Sequence, residues 1–352
     1  MSRKLILLLK MLALSAAMIG VSVLILKQRE GKTTSDSQTE YFFAMGTSQS
    51  LTLYGVPASM RQGQTERIKA ILSDETEKLI SWRREDSETY KLNASYVAGE
   101  PYEEISDELY SVIETSLDIA GLSGGACDLT VRPLADLWGI EDKSEEEFSV
   151  PPDEDIENVL KLTGYEHVKL RDGALIIDRQ GVQLDFGACG KGYALDKVRE
   201  FLDTGNVGGA VVSCGGSILV YGSRDDGKDF KVGIRDPFKD DGSVRGYLSV
   251  PEGSCLFVST SGDYEKYIEK DGKRYHHILD TKTGRPADSG LSSVTVTADN
   301  GLVSDALSTA CFVLGEEKSL PLLEKYGCSA VFIDREGKMS FAGNAKDMYK
   351  DS

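Results

Sequence analysis

His276 and His277, with Asp280 just behind them, and then Asp305 and Thr309, are the residues of this chain whose types and spacing can do chemistry. An imidazole exchanges a proton near neutral pH, so the histidines are the side chains here whose charge can change under ordinary conditions. Asp305 and Thr309 are four apart and share one face of a helix. A carboxylate, a hydroxyl and unpaired N–H groups near a helix start can hold a hard cation and the phosphates it bridges. The same residues also fit a plainer account, an Asp favoured by the helix dipole and a Thr bonding its own backbone. On this stretch alone both accounts stay open.

Two more places have suitable residue types. Asp128 follows Gly124-Gly125 and precedes Thr130, where its carboxylate suits either a turn or a ligand that donates hydrogen bonds. Around Lys191, glycines at 187, 190 and 192 let backbone come close to a ligand, ahead of a helix with free N–H groups. This is not a Walker A loop, because the glycine spacing and the Ser or Thr after the lysine are missing. It is not a dinucleotide fingerprint either, since the third glycine is absent.

The elements that must position these residues are mixed in type. Residues 41–54 read as a strand, a break at Met45-Gly46-Thr47, and a second strand carrying Leu51 and Leu53. Residues 61–80 read as helical, 81–93 as a charged loop entering a short helix, and 103–122 as an amphipathic helix stopped by Ser123-Gly124-Gly125. Residues 141–157 are acidic and read as a solvated surface excursion. Residues 174–178 and 181–186 suggest a hairpin whose second strand runs into the Lys191 turn, then a helix to Leu202. Residues 208–222 are two strands meeting at Gly215-Gly216, and 231–237 is another strand. The alternation in 293–297 predicts a half-buried strand. Asn300-Gly301 breaks it, and Ser304 is the expected N-cap of a helix carrying Leu307, Ala310, Cys311 and Leu314. A helix and a last hairpin follow Glu316. This order argues for an α+β class with mixed sheets and flanking helices.

At 352 residues the chain can bury a full core, and 40% hydrophobic with 28% charged is ordinary for a globular body. A net charge of -17 argues against nucleic acid as the main partner. An acidic protein that handles a phosphate ligand needs a cation or backbone donors to do so. Six cysteines are scattered without a CxxC pair, which argues against a zinc ribbon or a thioredoxin-like site and leaves disulfides open.

The first residues differ in kind. Arg3 and Lys4 precede an apolar run broken once by Lys10 and ending at Leu26, which reaches the roughly 20 residues a membrane helix needs. No small-residue cleavage site follows Leu26, so residues 1–29 are expected to be an uncleaved anchor rather than a signal peptide. Basic residues on both flanks leave the orientation weakly set. A polar linker at 30–39 and a body at 40–350 follow, the body being expected outside the cytoplasmic membrane.

Taken together, AMGT (44–47), DSETYKLN (86–93), GGACDLTVRPLADLWG (124–139), LDFGACGKGYALD (184–196), GGSILVYG (215–222), STSGDY (259–264), HHILDTKTGRP (276–286) and SDALSTA (304–310) resemble the ApbE-type FAD:protein FMN transferases, in order and over about residues 40–345. The resemblance implies an ApbE-like, T-fold-related body. It also implies a magnesium-dependent reaction that splits FAD at its pyrophosphate, joins FMN by a phosphoester to a Thr or Ser hydroxyl of an acceptor protein, and releases AMP. By position it places the metal on the backbone oxygen of Ala188 and the side chains of Asp305 and Thr309, with Ser308 where some members have a further acidic ligand. FAD contacts fall on Met45, Ala126, Cys127, Asp128, Asp185, Lys191 and Leu279, and the base for the acceptor hydroxyl on His277.

In that setting Lys191 and the helix starts after Gly192 and Ser304 add positive potential, while Asp128 and Asp185 orient polar edges of the ligand. His276 is expected to be an exposed strand residue. One departure stands out: Arg83, beside Trp82, occupies the place of an aromatic that packs on FAD in relatives. Either the Trp82 ring or the Arg83 guanidinium can supply the stacking plane. The chain has no convincing acceptor motif of its own, so the implied partner is a separate redox protein, membrane-bound or extracytoplasmic. With water as acceptor the same site gives a magnesium-dependent FAD pyrophosphatase. A third reading is a flavin-binding protein without turnover.

Overall fold

Thr39–Ala44 (β1) and Thr47–Tyr54 (β2) form a hairpin because Met45 and Gly46 take φ of 50° and 70°. Two successive left-handed residues make the tight turn whose twist matches that of the strands. In this computed structural model residues 38–352 are described. The expected anchor, and the linker up to its last two residues, lie outside them.

The hairpin opens an eight-stranded sheet, continued by Gly209–Cys214 (β3), Ser217–Gly222 (β4), Ser254–Gly262 (β5), Leu291–Ala298 (β6), Ser329–Asp334 (β7) and Met339–Ala342 (β8). Its strands lie side by side in chain order, and each neighbouring pair is antiparallel. The α+β class holds, while the expected mixed sheets become one antiparallel sheet with small satellites, because every excursion of the chain returns to the next place beside the strand it left.

One face of the sheet is covered by helices. Ala58–Ala70 (α1) runs through a π-turn, Ile71–Glu75, into Thr76–Ile80. Glu88–Ser95 (α2), Asp107–Ser123 (α3), Arg132–Trp138 (α4), Gly190–Leu202 (α5), Gly301–Leu314 (α6) and Glu316–Lys325 (α7) follow in chain order. Val212, Leu219 and Phe257 pack on Leu195, Val198 and Leu202 of α5. On the opposite face Val211, Ile218 and Val220 pack on a three-stranded sheet of Phe230–Arg235, Val244–Val250 and Tyr349–Asp351. Among the described residues no helix is long and apolar enough to cross a membrane.

Several expectations are corrected. All of β6 is buried, not half-buried, because both faces are covered. Its polar residues are accommodated by pairing, as where the Thr295 hydroxyl lies 2.9 Å from that of Thr260 on β5. The cap of α6 is Asn300, whose side chain accepts the Val303 N–H at 2.9 Å. Ser304 sits inside the helix and donates its hydroxyl to Val296 O. Residues 181–186 form no strand. Ala174–Ile177 pairs instead with Val168–Arg171 and Pro101–Tyr102. The Asn93 amide takes the place of a partner strand, accepting from Leu184 N at 2.8 Å and donating to Leu184 O at 2.9 Å. The acidic stretch 141–157 is only partly solvated, since Phe148 and Ile156 are buried with Trp138 and Leu134. All six cysteines are free thiols.

Candidate active site

Asp305 lies just past the first turn of α6 and is 4% exposed. Its Oδ1 accepts from the Ser217 hydroxyl of β4 at 2.8 Å, and its Oδ2 accepts from Gly192 N of α5 at 3.0 Å. The Lys191 ammonium is 3.6 Å from Oδ2 and also donates to Gly187 O at 3.2 Å. Burial works against that ammonium, but the Asp305 charge and other acidic neighbours, Glu265 among them, hold its pKa above the usual lysine value. One helical turn on, Thr309 Oγ1 is 3.2 Å from Ser261 Oγ of β5. The same Ser261 hydroxyl is 2.8 Å from that of Ser308, which donates to Asp305 O. Ser308 is thus spent inside the protein.

Much of the hydrogen-bonding capacity of both helix starts is already used inside the protein. Gly301 and Leu302 of α6 donate to the Asp196 carboxylate at 2.7 and 2.8 Å, and burial still pushes that carboxyl up to about 6. Gly192 N is taken by Asp305 and Gly190 N by Phe186 O. Of the positive charge expected there, the Lys191 ammonium is the part that faces Asp305 directly. The glycines have a different use as well. A β-carbon on Gly192 would overlap Gly301 O, and one on Gly301 would overlap Gly192 O, so these residues serve helix contact rather than ligand approach.

Glu265, which sequence reasoning passed over, joins this cluster. A β-carbon on Gly216 would lie 3.2 Å from its Oε1, and that oxygen is buried with no hydrogen-bond partner. Burial pushes its carboxyl up to about 7 against the opposing pull of Lys191, Lys266 and Arg235. The only signal in the sequence was its place directly after STSGDY, three residues beyond the end of β5.

His277 follows the hairpin of Tyr267–Lys270 and Lys273–His276. Its backbone N–H and its Nδ1 both reach Lys266 O, at 3.1 and 3.2 Å. Nδ1 therefore carries the hydrogen and Nε2 keeps a lone pair. Burial, then the Lys266 ammonium, hold the imidazole well below its usual pKa, with Glu141 opposing. Its neighbour is not the exposed residue expected: His276 is buried, 3.0 Å from Ala287 O through Nε2 and edge-on to Phe312 at 5.5 Å. His276 is the last residue of its strand and faces Phe312 of α6, whereas His277 lies at the bend that follows.

Most residues assigned to FAD by resemblance are tied into the scaffold around this centre. Asp128 Oδ1 accepts the Thr130 N–H and hydroxyl at 2.8 and 2.7 Å, and Oδ2 accepts Tyr165 N at 2.8 Å. Both of its oxygens organise the loop. Asp185 accepts Gly187 N at 2.7 Å and has the Arg132 guanidinium at 3.5 Å, and burial raises its pKa. Met45 N donates to Glu77 Oε1 at 2.8 Å, while its sulfur is 3.9 Å from Cys214 Sγ. Ala126 and Cys127 are buried in the core beside α3 and α6. Ala188 packs against the same core, half-buried, in the turn that leads to Lys191. Leu279 is buried with Trp138 in a separate cluster, joined to the 125–128 loop where the Thr281 hydroxyl donates to Gly125 O at 2.7 Å. Trp82 carries two guanidinium groups, Arg132 at 3.3 Å and Arg83 at 4.4 Å from its ring centroid.

Comparison with known proteins agrees with this arrangement. The model of the ApbE family matches residues 45–332. The FAD:protein FMN transferase of Treponema pallidum is 34% identical over 293 residues, 79% of this chain and 78% of that protein. The FAD:protein FMN transferase of Vibrio cholerae is 32% identical over 282 residues, 80% of this chain and 82% of that protein. The crystal structure of the ApbE protein of Thermotoga maritima superposes with a TM-score of 0.78 at 33% identity, covering 90% of this chain and 100% of that one. The Vibrio cholerae flavin transferase ApbE gives 0.76 at 28% identity, covering 89% and 99%. A similarity that spans almost the whole described body and includes every segment of the site leaves one conclusion: the chain belongs to the ApbE family.

Proposed function

We propose that this chain transfers FMN from FAD to a Thr or Ser hydroxyl of an acceptor protein and releases AMP. The observation that carries this reading is the buried Asp305 carboxylate, fixed by Ser217 and Gly192 and set beside Lys191, in a chain whose relatives are named FAD:protein FMN transferases. In the reaction Nε2 of His277 takes the proton of the acceptor hydroxyl. The hydroxyl oxygen attacks the phosphorus on the FMN side of the pyrophosphate, and the bond from that phosphorus to the bridging oxygen breaks. The bridging oxygen leaves on AMP. Lys191 neutralises charge that grows on that leaving group.

The residues present also fit magnesium. Asp305, Thr309 and the Ala188 carbonyl offer only hard oxygens, and the orphaned Oε1 of Glu265 lies in the same cluster. Among the described residues no group of three or more His, Cys, Asp or Glu converges as a metal cage, which suits an ion that shares its shell with water and substrate phosphates. When bound, the ion supplies charge screening on the pyrophosphate oxygens. We further propose that the acceptor is a redox protein at or outside the membrane, reached from an N-terminal anchor.

The test uses the full chain with FAD, magnesium and a candidate acceptor, following AMP release beside in-gel flavin fluorescence of the denatured acceptor. AMP with a fluorescent band supports transfer. AMP with free FMN and no band replaces transfer by hydrolysis, and bound FAD without AMP replaces it by storage.

A further inference from the structure

Glu141 comes from the acidic stretch that looked solvated, yet it touches two other parts of the site. Its Oε1 accepts from Lys266 Nζ at 2.8 Å and its Oε2 from Arg83 at 3.3 Å. One carboxylate thus links three segments: the loop after Ile80, the turn after α4, and the residue that leads into the hairpin ahead of His277. Lys266 is the residue whose carbonyl accepts both the N–H and the Nδ1–H of His277. Its side chain is anchored while its backbone holds the base.

We propose that Glu141 is a positioning residue for His277. By fixing Lys266 it keeps the imidazole in the Nδ1–H tautomer, with Nε2 aimed at the reacting hydroxyl. It also balances charge. The groups around the imidazole are the Lys266 ammonium, the Glu141 carboxylate and neutral His276, with Arg83 behind Glu141. Without Glu141, an imidazolium formed in the reaction would face the lysine ammonium uncompensated. An ion pair of this exposure, with Lys266 and Glu141 each 35% exposed, adds little to stability. Its effect is expected on orientation.

The inference rests on His277 being the base, so one readout is kept independent of activity. The full chain, in lipid nanodiscs and with 15N-labelled histidine, is examined by long-range 1H–15N correlation, the three imidazoles being assigned through His167→Asn and His276→Asn. Wild type is expected to show His277 as the Nδ1–H tautomer. Glu141→Gln is expected to show mixed tautomers and a kcat for transfer lowered roughly 10–100-fold, the scale of a small misplacement at a reacting centre, with KM for FAD near wild type. Glu141→Asp recovers part of the rate, and Lys266→Met, which cuts the link from the other side, repeats the Gln phenotype. An unchanged His277 tautomer in both Glu141→Gln and Lys266→Met overturns the proposal, whatever the rates. A mixed tautomer with an unchanged transfer rate upholds the positioning role and removes His277 as the base.

Discussion

Gly192 and Gly301 meet backbone to backbone where α5 and α6 cross, and each occupies the space a β-carbon on the other would need. The contact sets the distance between Lys191 and Asp305, which flank it. Gly192→Ala is therefore expected to lower stability by at least about 2 kcal/mol, the scale of forced overpacking, and to reduce transfer at temperatures where the protein is still folded. Thermal unfolding followed by circular dichroism checks the first part. An unchanged Tm would mean the helices can part without loss.

Asp305→Asn keeps the shape of the side chain and removes its charge. Since the native carboxylate is fixed by Ser217 and Gly192 and faces Lys191, the variant is expected to fold and bind FAD but to transfer FMN about 100-fold more slowly or worse. Magnesium titration of FAD-loaded protein is the second readout. Wild-type apparent affinity in the variant would take Asp305 out of the ligand set.

His276 gives a pH signature. Burial lowers its pKa from the usual 6.5 to about 4. Between those values the unfolded chain binds a proton that the folded protein does not, so this histidine reduces stability as pH falls from about 6.5 towards 4. Asp196 and Glu265, raised to about 6 and about 7, work in the opposite sense. The difference between wild type and His276→Asn isolates the histidine. Relative to its value at pH 7.5, the wild type should lose up to about 2 kcal/mol more than the variant by pH 5. Urea unfolding of both proteins at the two pH values measures it, and parallel curves would contradict it.

Trp82 is the platform under Arg132, which in turn approaches Asp185. Trp82→Ala should weaken FAD binding roughly 10-fold, in line with loss of a partly buried cation–π contact and its stacking plane, with kcat changed less than KM. Quenching of flavin fluorescence reports the affinity. A change confined to kcat would place Trp82 on the acceptor side.

The sequence was most legible where a residue type decides the local backbone. The Met45-Gly46 turn, the Gly215-Gly216 hairpin and the Gly124 stop of α3, at φ of 60°, all stand where they were expected. Legibility failed where a partner distant in the chain decides. Ser304 and Asn300 are both competent caps, and the choice follows from Asp196, 105 residues away, which takes the first N–H of α6. Residues 181–186 have strand-forming side chains, but their backbone groups are taken singly, Leu184 by the Asn93 amide, Val182 O by the Tyr96 hydroxyl and Asp185 N by Leu129 O. Glu141 looked like one charge in an acidic run until Lys266, 125 residues on, was seen beside it. His277, Asp305, Thr309 and Lys191 stood out as residue types, whereas Glu265 and Ser217 acquire meaning only from the fold that brings them there.

A sheet that adds its strands in the order of the chain has a consequence for synthesis. β1 to β6, the Lys191 turn and the His277 hairpin all emerge from the ribosome before α6 does. A nascent chain halted at Ala298 would hold almost every element discussed above, including the proposed base, but not the carboxylate at the centre. It would also leave Val294 and Val296 of β6 without the helix that covers them. Docking of α6 covers that apolar face and brings Asp305 to Ser217 and Gly192 in one event, so the carboxylate on which the proposed reaction depends is not expected to be in place before α6 is packed.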